Sequence, residues 1–201
     1  MTAPLDATLV FNDLRDAVVA LETARGSPRD VRRAFSRVVE LTQRLTSAMR
    51  KDFSRIRGRQ WEAKDFTGWN GVTEFFKWLR NQDQHEDAIY ISVHERRFYE
   101  VPGRPGQIFP FEGTWQLSDQ MIDHLDLGTV AFHPIDQSTG KALPPAPPVR
   151  VEYQYLFQPR SPEARAKLTL VPTTDVHSLS TACFEVMTQY YEYFLSALRG
   201  T

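Results

Sequence analysis

Arg80, Asn81 and His85, in the run Trp78-Leu79-Arg80-Asn81-Gln82-Asp83-Gln84-His85-Glu86, are the residues whose types and spacing best suit chemistry. A guanidinium can neutralise a phosphate through paired N–H donors. An imidazole can give or take a proton near neutral pH. An amide beside the arginine can orient either one. Together these groups could cleave RNA without a metal, the imidazole acting on a ribose 2′-hydroxyl or a leaving oxygen and the guanidinium stabilising the charged phosphorane. On an ideal helix Arg80 and His85 lie about 140° apart, whereas Asn81 and His85 share a face. The set therefore works where the helix ends near His85, or where the long Arg80 side chain reaches around.

Four helices must position these residues. Leu14, Val18 and Leu21 have the spacing of one helical face, which predicts a first helix over about 6–25 that stops near Gly26. Ser27-Pro28-Arg29-Asp30 supplies an N-cap, a first-turn proline and an acid, so a second helix begins there and runs to Gly58. Its apolar face is Val31, Phe35, Val38, Val39, Leu45, Met49, Phe53 and Ile56, and its length suggests a break near 50–53. A third helix is expected from Asp65, as its cap, to Gln84, with Phe66, Trp69, Val72, Phe76 and Leu79 inward and with Gly68 and Gly71 permitting close approach of another helix. A fourth runs from a Thr174-Asp175 cap to Gly200 along Val176, Leu179, Cys183, Val186, Met187, Tyr190, Phe194, Ala197 and Leu198.

Between helices three and four the pattern changes to β-branched and aromatic runs bounded by Pro and Gly. These are 90–93, 97–101, 107–111, 129–132 and 149–157, with the proline-rich connector 141–148 before the last. The expectation is a mainly α, overall α+β single domain over 1–201. Its up-down four-helix bundle comprises 6–90 and 173–199, and its β-rich insertion 91–172.

Charge bears on partners. Net charge is −1, but residues 29–64 hold eleven basic side chains against four acidic ones, a local surplus of seven. Arg33, Arg37 and Arg44 within that run are the candidate contacts for an RNA backbone, if the run is not simply a solvated helix face. No apolar stretch is long enough to span a bilayer, and the first residues lack the basic start and apolar core of a signal peptide, so a soluble cytoplasmic protein is expected. The single cysteine, Cys183, excludes an intrachain disulfide and fits a packed core thiol.

Other groups carry less. Asp119, Asp123, His124 and Asp126 lack a second histidine at ligand spacing and suit a solvated acidic turn better than a metal site. His94 suits a structural or surface role, His133 a loop before Pro134, and His177 a capping role in the first turn of helix four. Trp61, Trp69, Trp78 and Trp115 suit the core. Phosphate-binding glycine loops, GxSxG elbows and HExxH are absent from the sequence, which leaves nucleotide hydrolases, serine hydrolases and zincin proteases without support.

With Arg80, Asn81 and His85 at the end of an aromatic-rich helix in a four-helix pattern, the helical parts of the chain resemble the HEPN superfamily. Its nuclease members carry an R-x4-6-H motif, often with Asn, Asp or His after the Arg. The resemblance does not extend to the β insertion. It implies a metal-independent endoribonuclease of toxin or antiviral-defence type. Such an enzyme needs no cofactor, acts as a homodimer whose motifs meet in one composite site, leaves a 2′,3′-cyclic phosphate, and can be paired with an antitoxin or defence partner. In members controlled by modification of a tyrosine, that tyrosine stands two residues after the histidine; here the position is Asp87. The alternatives are a non-catalytic HEPN-like module binding RNA or protein, and a helical regulatory or interaction protein without nucleic-acid function.

Overall fold

The structure, a computed structural model, describes residues 5–62, 66–83, 91–100, 105–116, 135, 138–141, 147–158 and 161–200. In chain order the elements are α1 (Asp6–Thr23), α2 (Pro28–Arg57), α3 (Gly71–Asp83), β1 (Ile91–Glu100), β2 (Ile108–Gln116), β3 (Arg150–Phe157), α4 (Pro162–Leu168) and α5 (Val176–Arg199). The chain is thus mainly helical with a small antiparallel sheet.

Local chemistry explains most of the boundaries. The Ser27 side chain accepts from the Asp30 N–H with Pro28 in the first turn, and Gly58 closes α2 with a positive φ that an L side chain would resist. The helix between them is continuous for 30 residues, so the expected break near 50–53 does not occur. Asp175 caps α5 through the Ser178 N–H at 2.8 Å. The start of α1 has no side-chain cap of its own; the buried Asp52 of α2 accepts from the Ala7 N–H at 2.8 Å and does that work from across the helix pair.

Two helical expectations need correction. α3 starts at Gly71, not Asp65. Asn70 accepts from the Val72 and Thr73 N–H groups while the Thr73 hydroxyl accepts from the Asn70 N–H, a reciprocal cap that sets the start there. The close neighbour of Gly71 is the Leu170 carbonyl, which a Cβ at 71 would strike; at Gly68 the nearest atoms a Cβ would meet are those of the Phe66 ring. A short helix, α4, also stands within the span read as β-rich. Ser161 caps it at the Ala164 N–H, with Pro162 in its first turn.

The sheet order is β2-β1-β3, all antiparallel. β1 joins into one strand what reads as two, 90–93 and 97–101. Pro110 lies opposite Phe98 in β2, an edge strand, where the missing N–H is tolerated. The expected strand at 129–132 and most of the proline-rich connector lie outside the described residues.

Helix senses follow from cross-contacts. Lys51 meets Asp6 at 3.1 Å, so α1 and α2 run oppositely. The Thr8 and Tyr191 hydroxyls pair at 2.8 Å while His177 meets the Leu21 carbonyl, so α5 opposes α1. α3 leads from Trp69 against Tyr190 to Phe76 against Phe35. The core between them holds Leu14, Leu21, Phe35, Leu45, Met49, Phe76, Leu179 and Phe194. Phe75, three residues after Val72 and four before Leu79, is buried as well although the expected inward face omits it, while Ile56 of the expected inward face of α2 is half exposed.

Candidate functional site

Arg80 sits in the last turn of α3, exposed, and among the described residues it makes no hydrogen bond or ion pair. Its position follows from the inward packing of Val72, Phe75, Phe76 and Leu79, which turns residue 80 outward. Asn81 is exposed beside it. His85 lies outside the described residues, as do His124, His133, Asp119, Asp123 and Asp126.

Arg80 borders a groove of about 710 Å³ between α1 and α2. Arg44 and Lys51 also face this groove, as do Asp6, Asp13 and Glu40. Arg33, Arg37, Arg44 and Lys51 fall within about 40° of arc on α2, and all are exposed, so the expected basic stripe is one face of the helix. Glu40 falls in the same stripe. It accepts from Arg37 Nη1 at 2.8 Å and from Arg44 Nη1 at 3.3 Å. Arg33 has no ion pair among the described residues.

Several other basic residues of the 29–64 run support the fold. Arg55 holds the buried Asp52 at 2.7 Å. Arg57 donates to the last carbonyls of α5, at Ala197 and Leu198, capping that helix. Arg59 stacks over the Phe53 ring at 5.3 Å. The seven-charge surplus is therefore not a uniformly free field.

The remaining candidate residues divide. Cys183 is fully buried at a distance of 3.8 Å from the Thr42 hydroxyl, and burial pushes its thiol up to about 12, so it packs and does not attack. Trp61 is buried as expected. Trp69 is 40% exposed, against expectation: it lies in the loop before α3, outside the helix, with one side of its ring tilted against Tyr190. Trp78 is half-buried and donates to Glu163 at 2.9 Å, tying α3 to α4. The Trp115 side chain lies outside what is described. Among the described residues, no three His, Cys, Asp or Glu side chains converge as metal ligands.

His177 does not cap α5; Asp175 does. The imidazole is instead buried, its Nε2 lying 3.1 Å from the Leu21 carbonyl oxygen. Burial, and then the Arg25 charge, hold its pKa below the ordinary 6.5, while Asp175 and Glu22 pull the other way. A histidine whose folded pKa is depressed contributes stability that is complete above the unfolded value and is lost as pH falls through the folded one. The thermal midpoint should therefore decline as pH is lowered from about 6.5, and His177→Phe should show a smaller decline over the same range. Parallel pH profiles for the two proteins would contradict this role.

Comparison of the chain with protein-family models, with curated proteins and with solved structures found no match. No helix among the described residues is long and apolar enough to cross a membrane.

Proposed function

We propose that the chain is a HEPN-like, metal-independent endoribonuclease of toxin or antiviral-defence type, active as a homodimer, with Arg80, Asn81 and His85 as its catalytic set. The observation that carries this reading is Arg80: an exposed guanidinium with no ion pair among the described residues, at the end of α3 and beside the groove that Arg44 and Lys51 also face. The alternating helix senses are consistent with an up-down bundle of the HEPN kind. In the proposed reaction His85 exchanges the proton of the ribose 2′-hydroxyl or leaving oxygen. Arg80 stabilises the phosphorane and Asn81 orients one of the two.

The groove also supports a second reading, a non-catalytic module binding RNA or protein. Asp6, Asp13 and Glu40 balance Arg44, Lys51 and Arg80, and Glu40 engages two of the three stripe arginines, which weakens the pull on a polyanion.

Replacing Arg33, Arg37 and Arg44 together with glutamine tests the RNA surface shared by the nuclease and an RNA-binding module. Each phosphate no longer neutralised should lower the slope of log K against log salt by about 0.7 for a single strand. Stability should change little, because exposed pairs contribute only about 0–1 kcal/mol each. Unchanged RNA affinity and salt slope in the triple variant would reject the stripe as an RNA surface.

A further inference from the structure

The segment 161–170, between β3 and α5, is laid across α3. Ser161 caps α4 at the Ala164 N–H; Ala164 is buried, and Glu163 beside it is exposed. Glu163 accepts from the Trp78 indole N–H at 2.9 Å, two residues before Arg80. Seven residues after Glu163, the Leu170 carbonyl lies against Gly71, which is the first residue of α3 and seven residues before Trp78. α4 and the turn after it therefore run antiparallel to α3, meeting it at its start and again beside Arg80. β3 adds a third contact, the Phe157 ring standing edge-on to Phe75 and Trp78 with centroids 5.3 and 6.4 Å away.

Arg80 has no tether of its own. Its side chain makes no hydrogen bond or ion pair among the described residues, so the place of the guanidinium depends on how the end of α3 is turned about its axis. Successive side chains project about 100° apart on a helix. Leu79 is buried and anchors one direction. Trp78, bonded to Glu163 and stacked on Phe75, anchors a second on one flank of Leu79, and Arg80 projects on the other flank. One anchor lets the turn rock about its axis, whereas two in different directions fix its rotation. Rocking is magnified at the tip of a side chain as long as arginine.

We infer that Glu163 is a positioning residue for the site at Arg80: through the Trp78 indole it fixes the rotation of the end of α3, and with it the guanidinium. The role of Arg80 itself rests on the nuclease reading; Glu163 adds what keeps that side chain in place. Glu163 has no contact with substrate in this scheme.

The test is the steady-state kinetics of RNA cleavage by the full chain as wild type, Glu163→Ala, Arg80→Ala and the double variant. Glu163→Ala should lower kcat about tenfold, short of the roughly hundredfold that a 1 Å misplacement costs, with KM little changed because Arg80 acts on charge that develops only in the transition state. In the Arg80→Ala background the same change should have no further effect, since the guanidinium it positions is gone. Glu163→Gln, whose amide oxygen still accepts from the indole, should restore most of the rate. Melting curves of wild type and Glu163→Ala should coincide, the hydrogen bond being exposed. Cleavage by wild type that is unchanged in Glu163→Ala would overturn the inference and leave the nuclease reading standing. So would a rate loss of the same size in the Arg80→Ala background, which marks a general structural role. No cleavage by wild type would remove the nuclease reading and this inference with it.

Discussion

Arg80→Ala should lower the rate of RNA cleavage by about 10²–10³-fold while leaving the melting curve unchanged within about 0.5 kcal/mol of stability. The first figure is the usual cost of removing one preorganised donor from a developing oxyanion. The second follows because the guanidinium is exposed and makes no ion pair or hydrogen bond among the described residues, so the fold loses nothing that the side chain was holding. Arg80→Lys separates charge from geometry. It keeps the positive charge but loses the planar paired donors, and should recover only part of the rate. Single-turnover cleavage of a short single-stranded RNA, measured beside thermal melts of the three proteins, checks both halves. Equal rates in wild type and Arg80→Ala would remove this residue from the chemistry.

The second large effect concerns what holds α3 in place. Trp61, in the segment between α2 and α3, is buried against Phe53, Tyr190, Tyr193 and Phe194, with the Phe53 ring 4.7 Å away. Its indole N–H donates to the Tyr190 hydroxyl at 2.6 Å. Trp61→Ala should destabilise the protein by about 3–5 kcal/mol, the transfer and cavity cost of deleting a large buried ring. Trp61→Phe keeps most of the packing but leaves the buried Tyr190 hydroxyl without its donor, at about 1–3 kcal/mol. Adding Tyr190→Phe to that variant removes the orphaned hydroxyl, so the double variant should lose less than the sum of the two singles. Denaturant titration of wild type, the two single variants and the double variant checks the cycle. Strict additivity would show that the indole–hydroxyl bond has no energetic weight.

Much of the helical framework is legible in caps and apolar spacing, because those signals are local. Ser27-Pro28 and Asp175 start α2 and α5 where their side chains satisfy orphan N–H groups, and Gly58 and Gly200 end them with positive φ. The same serine–proline signal stands at Ser161-Pro162, but the surrounding β-like composition masks it. The start of α3 lies later than the spacing suggests for a different reason. Phe66 and Trp69 keep helical spacing with Val72, yet they belong to a loop whose rings lie on Tyr190, 4.9 and 4.4 Å away by centroid. Aromatic packing satisfies the periodicity without a helix.

Of the candidate site, the outward position of Arg80 follows from the inward spacing of its neighbours and is legible. The pairing of Arg37 and Arg44 with Glu40 is legible too, being three and four residues apart, but a net-charge count conceals it. Long-range partners are not. Nothing near Asp52 or His177 in sequence reveals that the first caps α1 from 45 residues away, or that the second meets the Leu21 carbonyl across 156 residues. Both are buried polar groups whose roles exist only once the helices have packed.

The most direct test of the proposed activity is incubation of the purified protein with single-stranded RNA in EDTA, with the new 3′ ends identified by mass spectrometry. The account predicts endonucleolytic fragments ending in a 2′,3′-cyclic phosphate, formed at a rate that varies with pH around the ordinary histidine value of about 6.5 and lost in His85→Ala. Intact RNA under these conditions, or cleavage that appears only when Mg²⁺ or Mn²⁺ is supplied, would contradict it.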